Sequence, residues 1–219
     1  MTRVKMLAGP PQRLAASAAT VQRVKVIARI RPQLPGESKH GSLRISGEQQ
    51  LCLTNPRNAM EELSYGFDRC YGERAGQAVL FGYDVVPLLE RVMQGYHGTI
   101  FAYGNTGAGK THTMVGSVQD PGKISSLISG MIPRSVAYLF EHGVALEMSM
   151  LEIYREKVHD LLAPDPWATD LPLRESADHQ IVIPGLTRQT IATMSDFERW
   201  FSGGVAQRST ASTALNAQS

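Results

Sequence analysis

The sequence predicts an α/β fold, and three features of its pattern support that prediction. Short apolar runs alternate with stretches of helical periodicity, as in a sheet covered by helices. A glycine-rich loop at 104–111 lies between a predicted strand and a predicted helix. The chain has 219 residues, of which 42% are hydrophobic, so it can bury a substantial core. We expect a central mixed, mostly parallel sheet flanked by helices.

The predicted strands in the first half are short and separated by turn residues. Residues 23–31 alternate with a period near two, which indicates a strand. Three further pieces have the composition of strands joined by hairpins: LRIS (43–46), LCLT (51–54) and YGFD (65–68). The apolar run TIFAY (99–103) predicts a buried strand directly before the glycine loop.

One helix is predicted before the loop, at 77–94. Pro87 is expected to kink or split it, because proline has no backbone N–H to donate. Six apolar residues recur at helical spacing and predict its buried side: Val79, Tyr83, Val86, Leu89, Val92 and Met93.

The second half repeats the alternation of helix and strand. A helix is predicted to begin at Lys110, to break around 116–122 and to resume at 132–140. The run VALEMSMLEIY (144–154) predicts a strand, and EKVHDLL (156–162) predicts its hairpin partner or a short turn. PLRESADHQIVIPGL (172–186) predicts two more short strands.

The last predicted helix begins at a capping box. Ser195 and Glu198 have the S-x-x-E spacing that satisfies two free donors at a helix start. We expect the helix to end at Gly203 and Gly204, and the polar residues 208–219 to form a loop.

The N-terminal part of the chain is basic, with Glu37 as the only acidic residue among 1–38, and the alternating pattern that begins at residue 23 indicates the start of the folded domain. Formal net charge is +2, from 22 Lys and Arg against 20 Asp and Glu, which is not the composition of a typical nucleic-acid binder. Residues 1–22 contain no Asp or Glu, five Ala and three basic residues. We interpret 1–22 as a disordered basic N-terminal arm, with a mitochondrial transit peptide as the alternative. Residues 23–219 then form one domain.

Cysteine content and hydropathy exclude two further classes. Cys52 and Cys70 are too few for a disulfide scaffold and are predicted to be free thiols in a reducing compartment. No apolar run approaches the ~18 residues of a membrane span. We therefore expect a soluble protein with no membrane partner.

The loop GNTGAGKT matches the phosphate-binding pattern G-x-x-x-x-G-K-[ST] in full. Backbone N–H groups that point inward are suitable donors for a triphosphate, and glycine permits the turns and the close approach that they require. The helix that follows adds its positive end. The candidate nucleotide-binding residues are Gly104, Asn105, Thr106, Gly107, Ala108, Gly109, Lys110 and Thr111. Lys110 would bind the β- and γ-phosphates and Thr111 would bind Mg²⁺.

Four motifs in order resemble the kinesin motor domain. They are RIRP (29–32), FAYGNTGAGKTHTM (101–114), LEIYREKVHDLL (151–162) and the final LNAQS (215–219), which is similar to the start of the switch I motif N-x-x-S-S-R-S-H. The resemblance covers roughly 23–219. Local phrases such as YGERAGQAVLFGY (71–83) and IVIPGL (181–186) most resemble the Kid-type chromokinesins.

The resemblance implies roles for particular residues. It implies ATP and Mg²⁺ as ligands, with Arg29 and Pro32 flanking the adenine and His112 stacking on its other side. Asn216 and Ser219 would belong to switch I, whereas Arg31 matches the motif with no ligand assigned. It also implies microtubules as the partner of the full-length protein, chromatin or DNA as a partner of regions outside this chain, and a cytoplasmic, microtubule, spindle or nuclear location.

Two departures from the kinesin pattern are visible. KISSLISG (123–130) stands between Pro121-Gly122 and Met131-Ile132-Pro133-Arg134, where kinesins pass directly from PG to IPR, and it is interpreted as a translated intron or a loop insertion. The chain also ends before a complete switch I and before switch II.

Three functions remain open. The first is the ATP-binding half of a microtubule-dependent motor ATPase. The second is a truncated product that binds nucleotide without ATPase or motor activity, and we expect this polypeptide alone to be marginally stable and inactive. The third, an unrelated P-loop kinase or AAA-type ATPase, gives no reason for the RIRP and LEIY motifs.

Overall fold

The structure is a computed structural model that describes residues 3–4, 24–37, 43–55, 57–58, 60–116, 130–168 and 170–216. Residues 3–4 and 209–216 are described by their backbone alone. Most of the predicted N-terminal arm lies outside these ranges. Within it, β1 (Arg3–Val4) pairs antiparallel with residues 150–151. The disordered state of the arm as a whole stays a prediction.

The first part of the chain forms five further short strands. They are β2 (Ile27–Arg29), β3 (Leu43–Ser46), β4 (Gln50–Thr54), β5 (Glu62–Gly66) and β6 (Arg69–Tyr71). The strands predicted from LRIS and LCLT are confirmed, and both belong to an antiparallel β3–β4–β5 sheet. The predicted strand 65–68 is displaced, because it covers the end of β5 and the connection to β6. The strand predicted at 23–31 is regular over three residues.

The helix predicted at 77–94 is present and is split, as the proline indicates. It consists of α1 (Gln77–Leu80), a π-helical segment (Phe81–Val85) and α2 (Val86–Met93), with Pro87 in the first turn of α2. A π-helical segment adds a residue to the turn and rotates the faces on either side of it. The predicted apolar side is therefore wrong at Val79 and Tyr83, which are exposed. The buried apolar side chains are Leu80, Val85 and Leu89.

The strand predicted at 99–103 is wrong. Residues 96–104 have no regular secondary structure, and Phe101 and Tyr103 are 59% and 96% exposed. A buried strand needs hydrogen-bonded neighbours for its N–H and C=O groups. No strand in the described ranges pairs with this run, so its apolar composition alone does not make it a strand.

The glycine loop is followed by α3 (Lys110–Met114) and, after the undescribed residues 117–129, by α4 (Met131–Glu141). This confirms the helix predicted at Lys110 and its resumption. Next come β7 (Leu146–Met148), β8 (Met150–Tyr154) and β9 (Lys157–Asp160). The predicted hairpin is confirmed, because β8 and β9 pair antiparallel. The single strand predicted at 144–154 is two strands, interrupted at Ser149.

The last elements are β10 (Arg174–Glu175), β11 (Ile181–Val182), β12 (Gln189–Ile191) and α5 (Met194–Asn216). The two short strands predicted in 172–186 are confirmed as the antiparallel pair β10–β11. No described helix is long and apolar enough to cross a membrane.

The cap and the end of α5 differ from the prediction. The reciprocal capping pair is Thr193 and Asp196: the Asp196 N–H donates to Thr193 Oγ1 at 3.1 Å, and the Thr193 N–H donates to Asp196 Oδ2 at 3.0 Å. The cap therefore lies two residues before the predicted one. The helix also continues past Gly203 and Gly204 to Asn216. Tertiary burial of this helix outweighs the cost of about 1 kcal/mol for each interior glycine.

Strand pairing in the described ranges is mixed. β2 pairs with β6 in parallel, whereas the other six pairs are antiparallel. The expected mixed sheet is thus present as small sheets, in which parallel pairing is the minority.

One hydrophobic core joins the helices to the strands behind the glycine loop. Leu89 of α2, Leu139 of α4 and Phe197 of α5 are each at most 4% exposed within it. Met148 and Met150 contribute from β7 and β8. The core fixes the positions of α1 and α4, the elements that adjoin α3. Both described thiols, Cys52 and Cys70, are free, as predicted.

Candidate nucleotide-binding site

The loop at 104–111 has the backbone geometry that its glycines permit. Gly107 and Gly109 adopt φ values of 81° and 86°, in the left-handed region that side chains with a Cβ atom disfavour. A Cβ atom at Gly104 would lie 3.1 Å from the Cβ of Ala108, so the two ends of the loop pack closely against each other at these positions. These geometries explain all three glycines of the predicted motif.

The Lys110 ammonium lies across the loop. It donates to the backbone carbonyl oxygens of Gly104 and Asn105, at 2.8 Å each. The Ala108 N–H donates to the Asn105 carbonyl oxygen at 3.1 Å. The predicted cation, the Lys110 ammonium, is therefore held by two carbonyl oxygens of its own loop.

A cleft beside the loop brings together residues that are distant in sequence. Its lining includes Arg29 and Pro32 from the end of β2, and Ala108, Gly109 and His112 from the loop and α3; Arg31 and Thr113 complete it. The enclosed volume is about 20 Å³, room for about one water molecule. A planar base is larger than this volume. It would therefore stack on the outer surface of the lining residues and would not enter a cavity.

Arg29 is held by three acceptors. Its guanidinium donates to Gln77 Oε1 at 2.8 Å, to Thr113 Oγ1 at 2.9 Å and to the Ala75 carbonyl oxygen at 3.3 Å. Partial burial lowers the pKa of Arg29 from its ordinary value, and an arginine remains charged at neutral pH. The cleft therefore has one cationic wall in a fixed orientation.

His112 forms another part of the lining of the cleft. Burial, and then the positive charge of Arg29, lower the pKa of His112 below its ordinary 6.5. The imidazole is therefore neutral at pH 7. A neutral aromatic ring suits stacking against a planar base better than a second cation beside Arg29 would.

Arg31, the other arginine of the motif, pairs with Glu37. One guanidinium nitrogen donates to Glu37 Oε2 at 2.8 Å and the other donates to Oε1, as a bidentate pair. Arg31 lines the cleft but its charge is satisfied within the chain.

Gln77 and Thr113 were not found by sequence reasoning. Gln77 is 5% exposed at the first position of α1, and its Nε2 donates to the His112 carbonyl oxygen. A signal did exist, because Gln77 precedes the buried Leu80 by three residues and therefore lies on the same helix face. What Gln77 contacts could not be read from the sequence.

The remaining predicted residues lie apart from this cleft or outside the described residues. Thr111 is an exposed hydroxyl at the start of α3, a hard oxygen that fits Mg²⁺ as one ligand. In the described ranges, no group of three His, Cys, Asp or Glu side chains could hold a metal. Asn216 is the last residue of α5, and Ser219 is not described. Their place in switch I stays a prediction.

Comparisons with known proteins agree with this geometry. An α/β chain with a folded phosphate loop beside a small cleft lined by Arg29, Pro32 and His112 is of the P-loop nucleotide-binding class. The family model of the kinesin motor domain matches residues 29–219, and the chain belongs to that family.

Relatives place the chain more finely. It is 42% identical over 219 residues to Kinesin-like protein KIF22 of Danio rerio, covering 94% of this chain and 33% of that protein. It is 39% identical over 203 residues to Kinesin-like protein KIF22 of Mus musculus, covering 90% and 30%. KIF22 proteins are Kid-type chromokinesins, so the predicted resemblance is confirmed.

A solved structure of a fast kinesin supports the fold. It matches with a TM-score of 0.77 and 30% sequence identity, over 88% of this chain and 55% of that one. This confirms the predicted fold class of a partial kinesin motor core. The chain spans about a third of the length of its KIF22 relatives. Kinesin motor domains as a family bind a nucleotide with Mg²⁺.

Proposed function

We propose that this chain is the ATP-binding part of a microtubule-dependent motor ATPase, which in the full-length protein couples ATP hydrolysis to movement along microtubules. Membership of the kinesin motor domain family supports the class of activity. The observation that carries the assignment is the convergence of Arg29, Pro32 and His112 beside the glycine loop, because these three residues are up to 83 positions apart.

Each part of the site has a defined task. The backbone of 104–109 surrounds the polyphosphate, and the Lys110 ammonium exchanges its two loop carbonyls for phosphate oxygens. The helix α3 has five residues, so the loop amides and Lys110 contribute more than a helix dipole does. Thr111 would supply one oxygen ligand to Mg²⁺, and the ion would supply positive charge that offsets the charge of the phosphates.

The base is recognised by the cleft. Pro32 and the neutral ring of His112 offer flat apolar surfaces, and Arg29 offers a planar cation. Such walls stack on any base, so affinity for the adenine ring is expected to come from stacking more than from hydrogen bonds to its edge.

Nucleotide binding is tested with Lys110→Ala and a matched control, Lys157→Ala, which removes an exposed lysine at the start of β9. Binding of Mg-ATP is measured by isothermal titration calorimetry. We expect Lys110→Ala to weaken binding at least about tenfold, because a charge-assisted contact is lost, and Lys157→Ala to bind as the parent does. Equal affinity of all three proteins would contradict the site.

A second function is favoured by one observation. The run 99–103, directly before the phosphate loop, is largely exposed and has no regular secondary structure. A catalytically active phosphate loop needs rigid secondary structure on either side to hold its geometry. A chain of this kind could bind nucleotide without turning it over. Phosphate release with and without microtubules separates the two functions: stimulated turnover by the 219-residue chain supports an active motor core, and binding without turnover supports the truncated product.

The partners and location belong to the full-length protein. We propose microtubules as its track and the spindle and cytoskeleton as its location, since the KIF22 relatives are kinesins of the chromokinesin type. Chromatin or DNA would be bound by regions outside this chain, in the cytoplasm or the nucleus. Co-sedimentation of the full-length protein with microtubules, with and without DNA, tests both partners.

A further inference from the structure

We propose that Gln77 is a positioning residue for the nucleotide base, because its single amide holds both walls of the cleft. This inference rests on the nucleotide-binding function proposed above. The amide oxygen accepts from Arg29 on β2, and the amide nitrogen donates to the carbonyl oxygen of His112 on α3. Gln77 contributes no surface to the cleft itself.

The bond to His112 has a specific local cause. The carbonyl of His112 is among the last in α3, and the Gly116 N–H, its ordinary helical partner, donates to Thr111 instead, at 3.2 Å. Carbonyls at a helix end need another donor. Gln77 supplies that donor from α1, so the orientation of the final turn of α3, and of the His112 ring, depends on α1.

The bond to Arg29 fixes the other wall. The same guanidinium nitrogen that donates to Gln77 also donates to Thr113 Oγ1, one residue beyond His112. Arg29, Gln77 and α3 therefore form a closed set of hydrogen bonds. Gln77 is 5% exposed, so water cannot readily replace either of its bonds if the side chain is shortened or made apolar.

The arrangement separates the base from the phosphates. The side-chain hydrogen bonds of Gln77 go to Arg29 and to the His112 carbonyl oxygen and not to 104–110, where Lys110 is held by the loop's own carbonyl oxygens. Loss of the amide should therefore disturb recognition of the base and leave the phosphate loop intact. A residue with only a structural role would weaken both.

The test compares Mg-ATP with Mg-tripolyphosphate, which has no base, in calorimetric titrations of the 219-residue chain. In Gln77→Met, both hydrogen bonds are lost at nearly constant length. We expect ATP affinity to fall about tenfold and tripolyphosphate affinity to change less than about twofold. Gln94→Met, the same change at an exposed position at the end of α2, should leave both unchanged.

Two further results decide the matter. Gln77→Glu keeps an acceptor for Arg29 and loses the donor to His112, so its ATP affinity should lie between those of the parent and Gln77→Met. If thermal melts show that Gln77→Met does not fold, Gln77→Glu provides the test. Equal losses for both ligands, no loss for either, or failure of both variants to fold would overturn the proposal. A parent chain that binds tripolyphosphate but not ATP would overturn it too, whereas a parent that binds neither would overturn the proposed function, and this proposal with it.

Discussion

Gly204 of α5 lies so close to Met150 of β8 that a methyl group at position 204 would come within 2.4 Å of the Met150 sulfur. Met150 is 1% exposed and cannot swing into solvent. Gly203, its neighbour, has nothing within 4 Å of the same hypothetical methyl group. Close packing against Met150 therefore requires glycine at position 204, whereas packing places no such requirement on position 203.

We predict that Gly204→Ala destabilises the chain and that Gly203→Ala does not. Overpacking at 204 is expected to cost about 1–3 kcal/mol, partly offset by the better helix propensity of alanine, whereas Gly203→Ala should gain up to about 1 kcal/mol. Urea denaturation of both variants measures the difference. Equal effects of the two substitutions would contradict the close packing of α5 on β8.

A buried carboxylate in the π-helical segment leads to a second prediction. The Asp84 side chain is 1% exposed; it accepts a hydrogen bond from the Tyr71 hydroxyl and lies 2.6 Å from Lys25 Nζ. Asp84→Ala leaves the buried Tyr71 hydroxyl without this acceptor, and we expect a loss of about 1–3 kcal/mol. Lys25→Met should cost less than Asp84→Ala, since Tyr71 and the nearby Arg69 remain. Denaturant midpoints of the two variants give the comparison.

The same contact makes stability depend on alkaline pH. Burial, and then the hydrogen bond to Asp84, raise the pKa of Tyr71 well above its ordinary 10. The folded state then keeps a proton that the unfolded state loses, so this contribution is complete below pH 10 and is lost as pH rises above it. Because Tyr71→Phe removes the titrating hydroxyl, the free energy of unfolding should decrease less between pH 9.5 and 11 in this variant than in the parent. A fall that is unchanged in Tyr71→Phe would exclude Tyr71 as its source.

At acid pH the sign is the opposite for His112. Its folded-state pKa is lowered by burial and by Arg29, so between that pKa and 6.5 the unfolded state binds a proton that the folded state does not. The contribution of His112 is present above pH 6.5 and is lost as pH falls. Because the chain has six histidines, the measurement is a difference: from pH 7.5 to 5.5, His112→Asn should lose less unfolding free energy than the parent.

The segment between α3 and α4 gives a fifth prediction. The Gly130 N–H donates to the Val115 carbonyl oxygen at 3.1 Å, and a Cβ atom on Gly130 would lie 2.5–2.6 Å from backbone atoms of Met114 and Gly116. Position 130 therefore requires glycine. The two ends of the connection are also adjacent, so a much shorter connection can span them.

Deletion of 123–130 brings Gly122 directly before Met131 and so supplies the required glycine again. We expect the deletion variant to fold at least as stably as the parent, with a gain of about 0.5–1 kcal/mol from the shorter loop. The control is the same deletion with Gly122→Ala, which should be destabilised by the backbone contacts. Thermal melts of the three proteins test this, and a deletion variant that fails to fold would show that the eight residues are needed.

Structural features were predicted correctly where one short stretch of sequence contains all the residues that form them. The phosphate loop is contiguous and its glycines determine its turns, and the β8–β9 hairpin follows from two neighbouring apolar runs. Pro87 similarly indicates a split helix, because the missing N–H is a property of that residue alone. Such features need no information about distant parts of the chain.

Tertiary structure decided the rest. Whether 99–103 is a strand depends on neighbours that the run itself does not specify, and whether α5 continues through Gly203 and Gly204 depends on burial against β8. The contacts of Gln77 join β2, α1 and α3, which no local pattern relates. The sequence by itself determined the phosphate loop and the family, because short-range backbone geometry is encoded in adjacent residues. The walls of the base cleft were decided only by folding, because their hydrogen bonds join residues 35 to 84 positions apart.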